Sequence, residues 1–91
     1  MQHSIKIQQP YLRHILDGKK TFEVRKNDRD YQVGDIIYFC PITDDHGYDV
    51  YNNGYHGQLF EITYIHQGLG MQEGYCVLSI KVANNETPKM R

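Results

Sequence analysis

One stretch decides the fold of this chain: Gly18-Lys19-Lys20-Thr21-Phe22-Glu23-Val24-Arg25-Lys26-Asn27-Asp28-Arg29. Its first half leaves a short helical segment, and residues 21 to 26 alternate between polar and apolar side chains. That alternation is typical of a strand with one buried face. It predicts that Phe22 and Val24 point into a core. Thr21, Glu23 and Arg25 would then form a polar row on the opposite face.

The segments before this stretch are predicted to be a strand and a helix. Residues 3 to 8 favour a first strand with isoleucines on one face. Pro10 suits the first turn of a helix, where a missing N–H is tolerated. Gly18 is typical of the left-handed residue that ends a helix. The helix carries one apolar stripe at the spacing of a helical face, formed by Leu12, Ile15 and Leu16.

The segments after it are predicted to be three further strands joined by turns. Val33-Gly34-Asp35 indicates a tight turn before a third strand, 36–40, which Pro41 would end. Residues 43–57 are expected to form a long loop or an irregular hairpin, with a turn signal at Asn53-Gly54. The remaining strands are expected at 59–66 and 75–82, around a glycine-rich connection at 67–74. The tail, 84–91, is expected to fray.

Size and composition indicate a single domain, residues 1–91, with its core at about 4–82. The sequence shows neither a membrane-spanning run nor a signal peptide, so a cytoplasmic location is expected. Cys40 and Cys76 lie in apolar runs without a metal-ligand spacing, which favours two buried, reduced thiols. We expect no cofactor and no metal site, since the five histidines lack ligand spacing.

Charge is distributed unevenly along the chain. The formal net charge is −1, but six of the ten Lys and Arg residues lie between positions 13 and 29. A nearly neutral domain does not hold nucleic acid by overall charge. A local basic patch can still bind a phosphate or a short single strand. The other interpretation of such a patch is an ordinary solvated surface.

The order of these segments resembles the ASCH (activating-signal-cointegrator homology) family of the PUA-like superfamily, in a short bacterial and phage branch. The residues that carry the resemblance are the Gly-x-Lys-x-x-Glu-x-Arg core from Gly18 to Arg25 and the downstream Gly34-Asp35. Residues 60–65, 68–75 and 77–81 extend it over roughly residues 4 to 82. The resemblance implies an α+β fold, a small β-barrel of about five or six strands with one prominent helix beside it.

The resemblance also implies a function. ASCH domains are proposed to bind RNA or nucleotide-like ligands in a cleft between helix and barrel, lined by the Lys, Glu and Arg of the motif. Some small relatives are amidohydrolases that deacetylate N4-acetylcytidine with a lysine, a threonine and a glutamate. Their lysine matches Lys20, whereas their threonine position falls on Glu23, with Thr21 nearby. Glu73 is the one acid in the short segment where those enzymes carry their glutamate.

The residue types at the motif suit a ligand site. Arg25 or Lys20 could hold an anion or a base edge, because arginine makes bidentate contacts to phosphate. Glu23 could accept a hydrogen bond from an exocyclic amine. The alternative is a structural Lys–Glu–Arg network beside the helix. The full set of candidate ligand-binding residues is Lys20, Glu23, Arg25, Lys26, Arg29 and Tyr75.

Three functions remain open from the sequence. The first is a binding module for RNA or a nucleotide-like ligand. The second is an amidohydrolase on a modified nucleoside, with Lys20, Glu23 and Thr21 as catalytic residues. The third is a regulatory domain with a protein partner, using the tyrosines of loop 43–57.

Overall fold

A computed structural model describes residues 1–43, 47–48 and 57–83 of the protein. Within these residues one short helix and six strands follow each other in chain order. They are β1 (Gln2–Gln8), α1 (Gln9–Leu16), β2 (Phe22–Lys26), β3 (Ile36–Thr43), β4 (Gly47–Tyr48), β5 (Leu59–His66) and β6 (Tyr75–Val82). The predicted turn at Asn53-Gly54 and the predicted tail 84–91 lie outside the described residues.

The strands form one sheet in the order β1-β3-β5-β6-β2, with β4 paired to β3. β1 and β3 are parallel, and the other pairs are antiparallel. The sheet curls into a half-barrel. This agrees with the small barrel and one helix that the sequence predicts. The helix in the described part of the chain is too short and too polar to span a membrane.

The core lies between the concave face of the sheet and α1. β1 alternates strictly between exposed and buried residues, and its isoleucines face inward as predicted. The helix buries Leu12 and Ile15, whereas Leu16 is 39% exposed, so the predicted stripe is one residue too wide. Gly18 has φ +80° and ends the helix as predicted. The largest fully buried side chains include Phe39, Ile5, Leu12, Ile37, Ile62 and Leu78.

β3 continues past the proline that was expected to end it. The structure carries β3 through Pro41 to Thr43, so that prediction is wrong. Pro41 lies beyond the residues that pair with β5, which end at Tyr38, and before the pairing with β4 begins at Ile42. Its missing N–H therefore interrupts neither antiparallel ladder, and a proline is tolerated there.

The orientation of β2 is the reverse of the predicted one. Phe22 and Val24 are 43% and 48% exposed on the convex face, while Glu23 is only 5% exposed. The pairing with β6 explains this, because Glu23 lies opposite Leu78 and Arg25 lies opposite Cys76. Residues opposite each other across a ladder share a face of the sheet, so the two charged side chains point inward.

This reversal predicts that introducing a hydroxyl group affects stability far less at Val24 than at a buried position. Val24→Thr should change the free energy of unfolding by less than about 0.5 kcal/mol, because the side chain is already in water. Ile7→Thr places a hydroxyl in the core and should cost at least about 2 kcal/mol. Urea denaturation of both variants measures the difference. Similar losses in the two variants would contradict the observed orientation of β2.

A buried polar pair connects the start of β1 to the turn before β3. His3 Nε2 lies 2.8 Å from Asp35 Oδ2, and the Gln32 backbone N–H donates to the same oxygen at 3.0 Å. The hydrogen bond from His3 is the main reason that the pKa of Asp35 is lowered. The His3 ring also packs edge-on against Tyr31, with the ring centroids 4.7 Å apart. The Asp35 side chain is therefore buried against the core, whereas Gly34 in the same turn is exposed.

Both cysteines are free, as predicted. Cys76 is buried on β6, and this burial raises the pKa of its thiol. Cys40 on β3 is half-buried, so the prediction that both thiols are buried is correct for Cys76 alone.

Candidate functional site

Three charged side chains of the motif meet at the inner face of β2. Lys20 Nζ lies 2.7 Å from Glu23 Oε1, and Arg25 Nη1 lies 3.1 Å from Glu23 Oε2. The buried carboxylate is thus hydrogen-bonded to two cations, one on each oxygen. We call Lys20, Glu23 and Arg25 the charged triad. Its members carry one negative and two positive charges, and such charge-assisted hydrogen bonds are among the stronger ones in proteins.

The local backbone positions the triad. Gly18, in its left-handed conformation, turns the chain out of α1 and toward β2. Lys20 lies in the bend between them, and its ammonium also donates to the Phe22 carbonyl at 2.8 Å. The β2–β6 register then points Glu23 and Arg25 inward from the strand. One turn and one register therefore bring the three charges together, as the sequence predicts from their spacing.

Arginine side chains connect the two end strands of the sheet. β1 and β2 are the first and last strands in the sheet order, and no described ladder joins them. Arg25 Nη1 donates to the Lys6 carbonyl at 3.0 Å, and Arg29 Nη1 donates to the Ser4 carbonyl at 2.7 Å. We call the space between β1 and β2 the seam. The two guanidinium groups take the place of strand-to-strand hydrogen bonds across it.

A small open pocket adjoins the triad. Its volume is about 270 Å³, and it is lined by Tyr11, Lys20, Glu23 and Val24. Tyr11, on α1, is 51% exposed. The Lys20 ammonium lies 5.7 Å from the Tyr11 ring centroid and 4.9 Å from the Phe22 centroid, within the range of cation–π contacts. The pocket therefore combines an aromatic wall with a paired ammonium and carboxylate.

Other predicted site residues lie away from this pocket. Lys26 and Tyr75 are opposite each other in the β2–β6 ladder, and neither lines the pocket. Tyr75 lines a different groove, of about 440 Å³, beside the glycine-rich connection. The residues that line this groove are Gln67, Gly68, Met71, Gln72, Glu73, Gly74 and Tyr75. The structure thus divides the predicted set into the triad with Arg29 at the seam, and Lys26 with Tyr75 elsewhere.

Thr21, one of the three residues proposed for catalysis, and Glu73, the one acid in the segment compared with the amidohydrolases, do not line the triad pocket. Thr21 is exposed next to β2, outside the lining of the triad pocket. Glu73 lines the groove around Tyr75 and does not line the pocket around Lys20. Lys20 and Glu23 are in direct contact, but Lys20 uses its protons as hydrogen-bond donors there. The described residues contain no cluster of His, Cys, Asp and Glu that could hold a metal.

Sequence reasoning missed Tyr11 and the His3–Asp35 pair. Tyr11 follows Pro10 in a helix whose apolar stripe does not include it, so no sequence pattern indicated that it would form a pocket wall. A signal for His3 was present, because His3, Ile5 and Ile7 have the spacing of one strand face. The tyrosines of the loop, Tyr51 and Tyr55, lie outside the described residues, as do the side-chain positions of Tyr48.

Comparison with known proteins identifies the family. A family model described as a domain of unknown function, DUF3850, matches residues 2–80. This range includes the charged triad, the Gly34-Asp35 turn and the strands β1 to β3, β5 and nearly all of β6. No curated protein matches the sequence. Because the family model covers most of the 91 residues, the chain belongs to the DUF3850 family.

Proposed function

We propose that this protein is an ASCH-like domain of the PUA-like superfamily that binds RNA or a nucleotide-like ligand in the pocket beside the charged triad. The single observation that carries the proposal is the buried Glu23 carboxylate, which contacts both Lys20 and Arg25 at the edge of an open pocket. Removing a carboxylate and two cations from water is costly unless these charges are paired with one another. A cluster of charged side chains beside a pocket with one aromatic wall is suited to orienting a polar ring or a phosphate.

The contacts favour binding over hydrolysis. The amidohydrolases combine their lysine with a threonine and a glutamate. Here Glu73 lines a different groove, Thr21 does not line the pocket, and Glu23 is engaged by Lys20 and Arg25. The amidohydrolase alternative therefore predicts release of cytidine from N4-acetylcytidine, whereas our proposal predicts none. Chromatography of an overnight incubation distinguishes the two. The protein-partner alternative depends on the tyrosines of loop 43–57, whose side chains lie outside the described part of the chain.

Binding is tested most directly with Lys20→Ala. We expect the affinity for a mixed-sequence single-stranded RNA to fall by roughly 10-fold or more, since a charge-assisted hydrogen bond is lost from the site. Lys19→Ala is the matched control, because Lys19 is the neighbouring lysine and does not line the pocket. Fluorescence anisotropy at two salt concentrations measures both variants and the salt dependence of binding. No binding by the unmodified protein, or equal losses in both variants, would refute the proposal.

A further inference from the structure

The hydrogen-bond pattern of β2 determines which of its backbone groups face the seam. The Thr21 carbonyl accepts from the Ile80 N–H at 3.0 Å, and the Asn27 N–H donates to the Gly74 carbonyl at 2.8 Å. Both pairs lie on the same antiparallel register as Phe22 with Ser79. In such a ladder every second residue bonds to the neighbouring strand. The odd-numbered residues of β2 therefore bond to β6, and the even-numbered residues face the seam.

Two of the three seam-facing carbonyls on β2 already have donors. The Phe22 carbonyl accepts from Lys20 Nζ at 2.8 Å, and the Lys26 carbonyl accepts from the Asp28 N–H at 2.9 Å. Val24 lies between them, and no described strand pairs with β2 on this side. Its N–H and C=O therefore face the open edge, at the pocket that Val24 lines together with Tyr11. They form one donor and one acceptor, side by side.

The charged groups around the pocket are already engaged with one another. Glu23 neutralises part of the charge of Lys20 and Arg25 through direct contacts. Arg25 also donates to the Lys6 carbonyl, and Arg29 donates to the Ser4 carbonyl. These contacts direct the guanidinium groups across the seam toward β1. A ligand at Val24 consequently meets a backbone donor and acceptor, an aromatic ring and a paired ammonium, which suits an uncharged polar group better than a phosphate.

We infer that the pocket holds the base of its ligand, an uncharged planar heterocycle whose edge offers one hydrogen-bond acceptor and one donor to the Val24 peptide groups. The ring stacks on Tyr11, as bases in single strands stack on aromatic side chains. The volume of about 270 Å³ suits one ring system. This inference rests on the proposed function and specifies its ligand: the pocket recognises a nucleobase, and the phosphate lies outside it.

A peptide strand fits the seam less well than a base. Adding a strand to β2 requires a run of free backbone groups along the edge. Here the carbonyls on either side of Val24 are occupied, and two arginine side chains cross the seam to β1. Val24 is therefore the one residue of β2 that offers the seam both a free carbonyl and an N–H, and this adjacent pair matches the edge of a ring.

The inference predicts that a nucleoside binds as tightly as its monophosphate. Calorimetric or NMR titration with the four ribonucleosides, their 5′-monophosphates and inorganic phosphate tests this on the unmodified protein. Blocking the donor of the base should weaken binding about 5-fold, the effect of one hydrogen bond. The probes are 3-methyluridine against uridine and N4,N4-dimethylcytidine against cytidine. This ligand-side comparison does not depend on whether any variant folds.

Two variants test the protein side. Val24→Pro removes the free N–H on the edge of the sheet and should weaken nucleoside binding about 5-fold. Tyr11→Ala should weaken binding by roughly 5-fold to 100-fold through lost stacking. Tyr64→Ala, an exposed tyrosine on the convex face, is its control and should bind normally. Thermal unfolding checks that each variant is folded.

The outcomes separate this inference from the proposed function. Nucleoside binding that is sensitive to Tyr11 and to blocked base donors supports the inference. A monophosphate or inorganic phosphate that binds much more tightly than the nucleoside overturns it, while the proposed function stands. Binding of RNA without binding of any nucleoside also overturns the inference and leaves the proposed function standing. No binding of RNA, nucleoside or nucleotide overturns both.

Discussion

Replacing Glu23 with alanine is expected to lower the free energy of unfolding by about 3 kcal/mol, because it leaves two charges without their buried partner. Lys20 and Arg25 each point a cation at this carboxylate, at 2.7 and 3.1 Å. Both side chains are largely but not completely buried, so water relieves part of the cost. The same substitution should abolish ligand binding, since Lys20 loses the contact that holds its ammonium at the pocket. Chemical denaturation and RNA titration measure the two effects.

Exposed and buried ion pairs offer a matched comparison within this chain. Glu61 lies 3.9 Å from Lys81 on the convex face, and both side chains are substantially exposed. Glu61→Ala should therefore cost less than about 0.5 kcal/mol, the usual value for a surface pair. Glu23→Gln keeps the volume and tests the charge alone, and we expect an intermediate loss. A Glu23→Ala variant as stable as Glu61→Ala would show that the triad contributes nothing to the fold.

The charged triad links the fold to the site. The half-barrel is open between β1 and β2, and Arg25 contacts both the Lys6 carbonyl of β1 and the Glu23 carboxylate of β2. One arginine thus helps to hold the end strands together and completes the carboxylate's set of donors. From the residue types alone, a ligand site and a structural network are alternatives. The geometry shows a structural network in contact with a pocket, so the two are not exclusive.

The sequence predicted the elements well because turns and periodicity are local properties. Gly18 ends α1, and β5 and β6 begin and end where the alternation predicts. The inward face of β2 could not be predicted this way. Alternation assigns Phe22 and Val24 to one face and Glu23 to the other, but only pairing with β6 decides which face is inside. The usual preference for buried apolar residues gave the wrong answer, because this strand lines a charged opening.

The site was predictable only where it is contiguous in sequence. Lys20, Glu23 and Arg25 lie within six residues, and their spacing was enough to expect them together. Tyr11 joins the pocket from a helix, and Val24 joins through backbone groups that carry no side-chain signal. The arginine contacts to Ser4 and Lys6 connect residues 25 and 19 positions apart. Such contacts follow from the curl of the sheet, which no local pattern in the sequence encodes.

Replacing Asp35 with asparagine is expected to lower the free energy of unfolding by about 2 to 3 kcal/mol at neutral pH, because a buried carboxylate loses charge-assisted hydrogen bonds. Asp35 Oδ2 accepts from His3 Nε2 at 2.8 Å and from the Gln32 N–H at 3.0 Å. An asparagine can present its one acceptor oxygen to these two donors, but its amide N–H₂ then faces the Met1 ammonium, which donates to Asp35 Oδ1 at 3.2 Å. Asp30→Asn is the control, because Asp30 is an exposed carboxylate in the same turn region. It should change stability by less than about 0.5 kcal/mol.

The stabilisation by Asp35 should also disappear in acid, which separates a charge effect from a packing effect. The pKa of Asp35 is lowered in the folded state, chiefly by the hydrogen bond from His3. Its contribution to stability is therefore complete above the pKa of an unfolded aspartate, about 3.9, and is lost as the pH falls through the lower folded value. Urea denaturation at pH 7, 4 and 2.5 should show the gap between the unmodified protein and Asp35→Asn narrowing below pH 4. A gap that stays constant down to pH 2.5 would mean that Asp35 stabilises the turn without its charge.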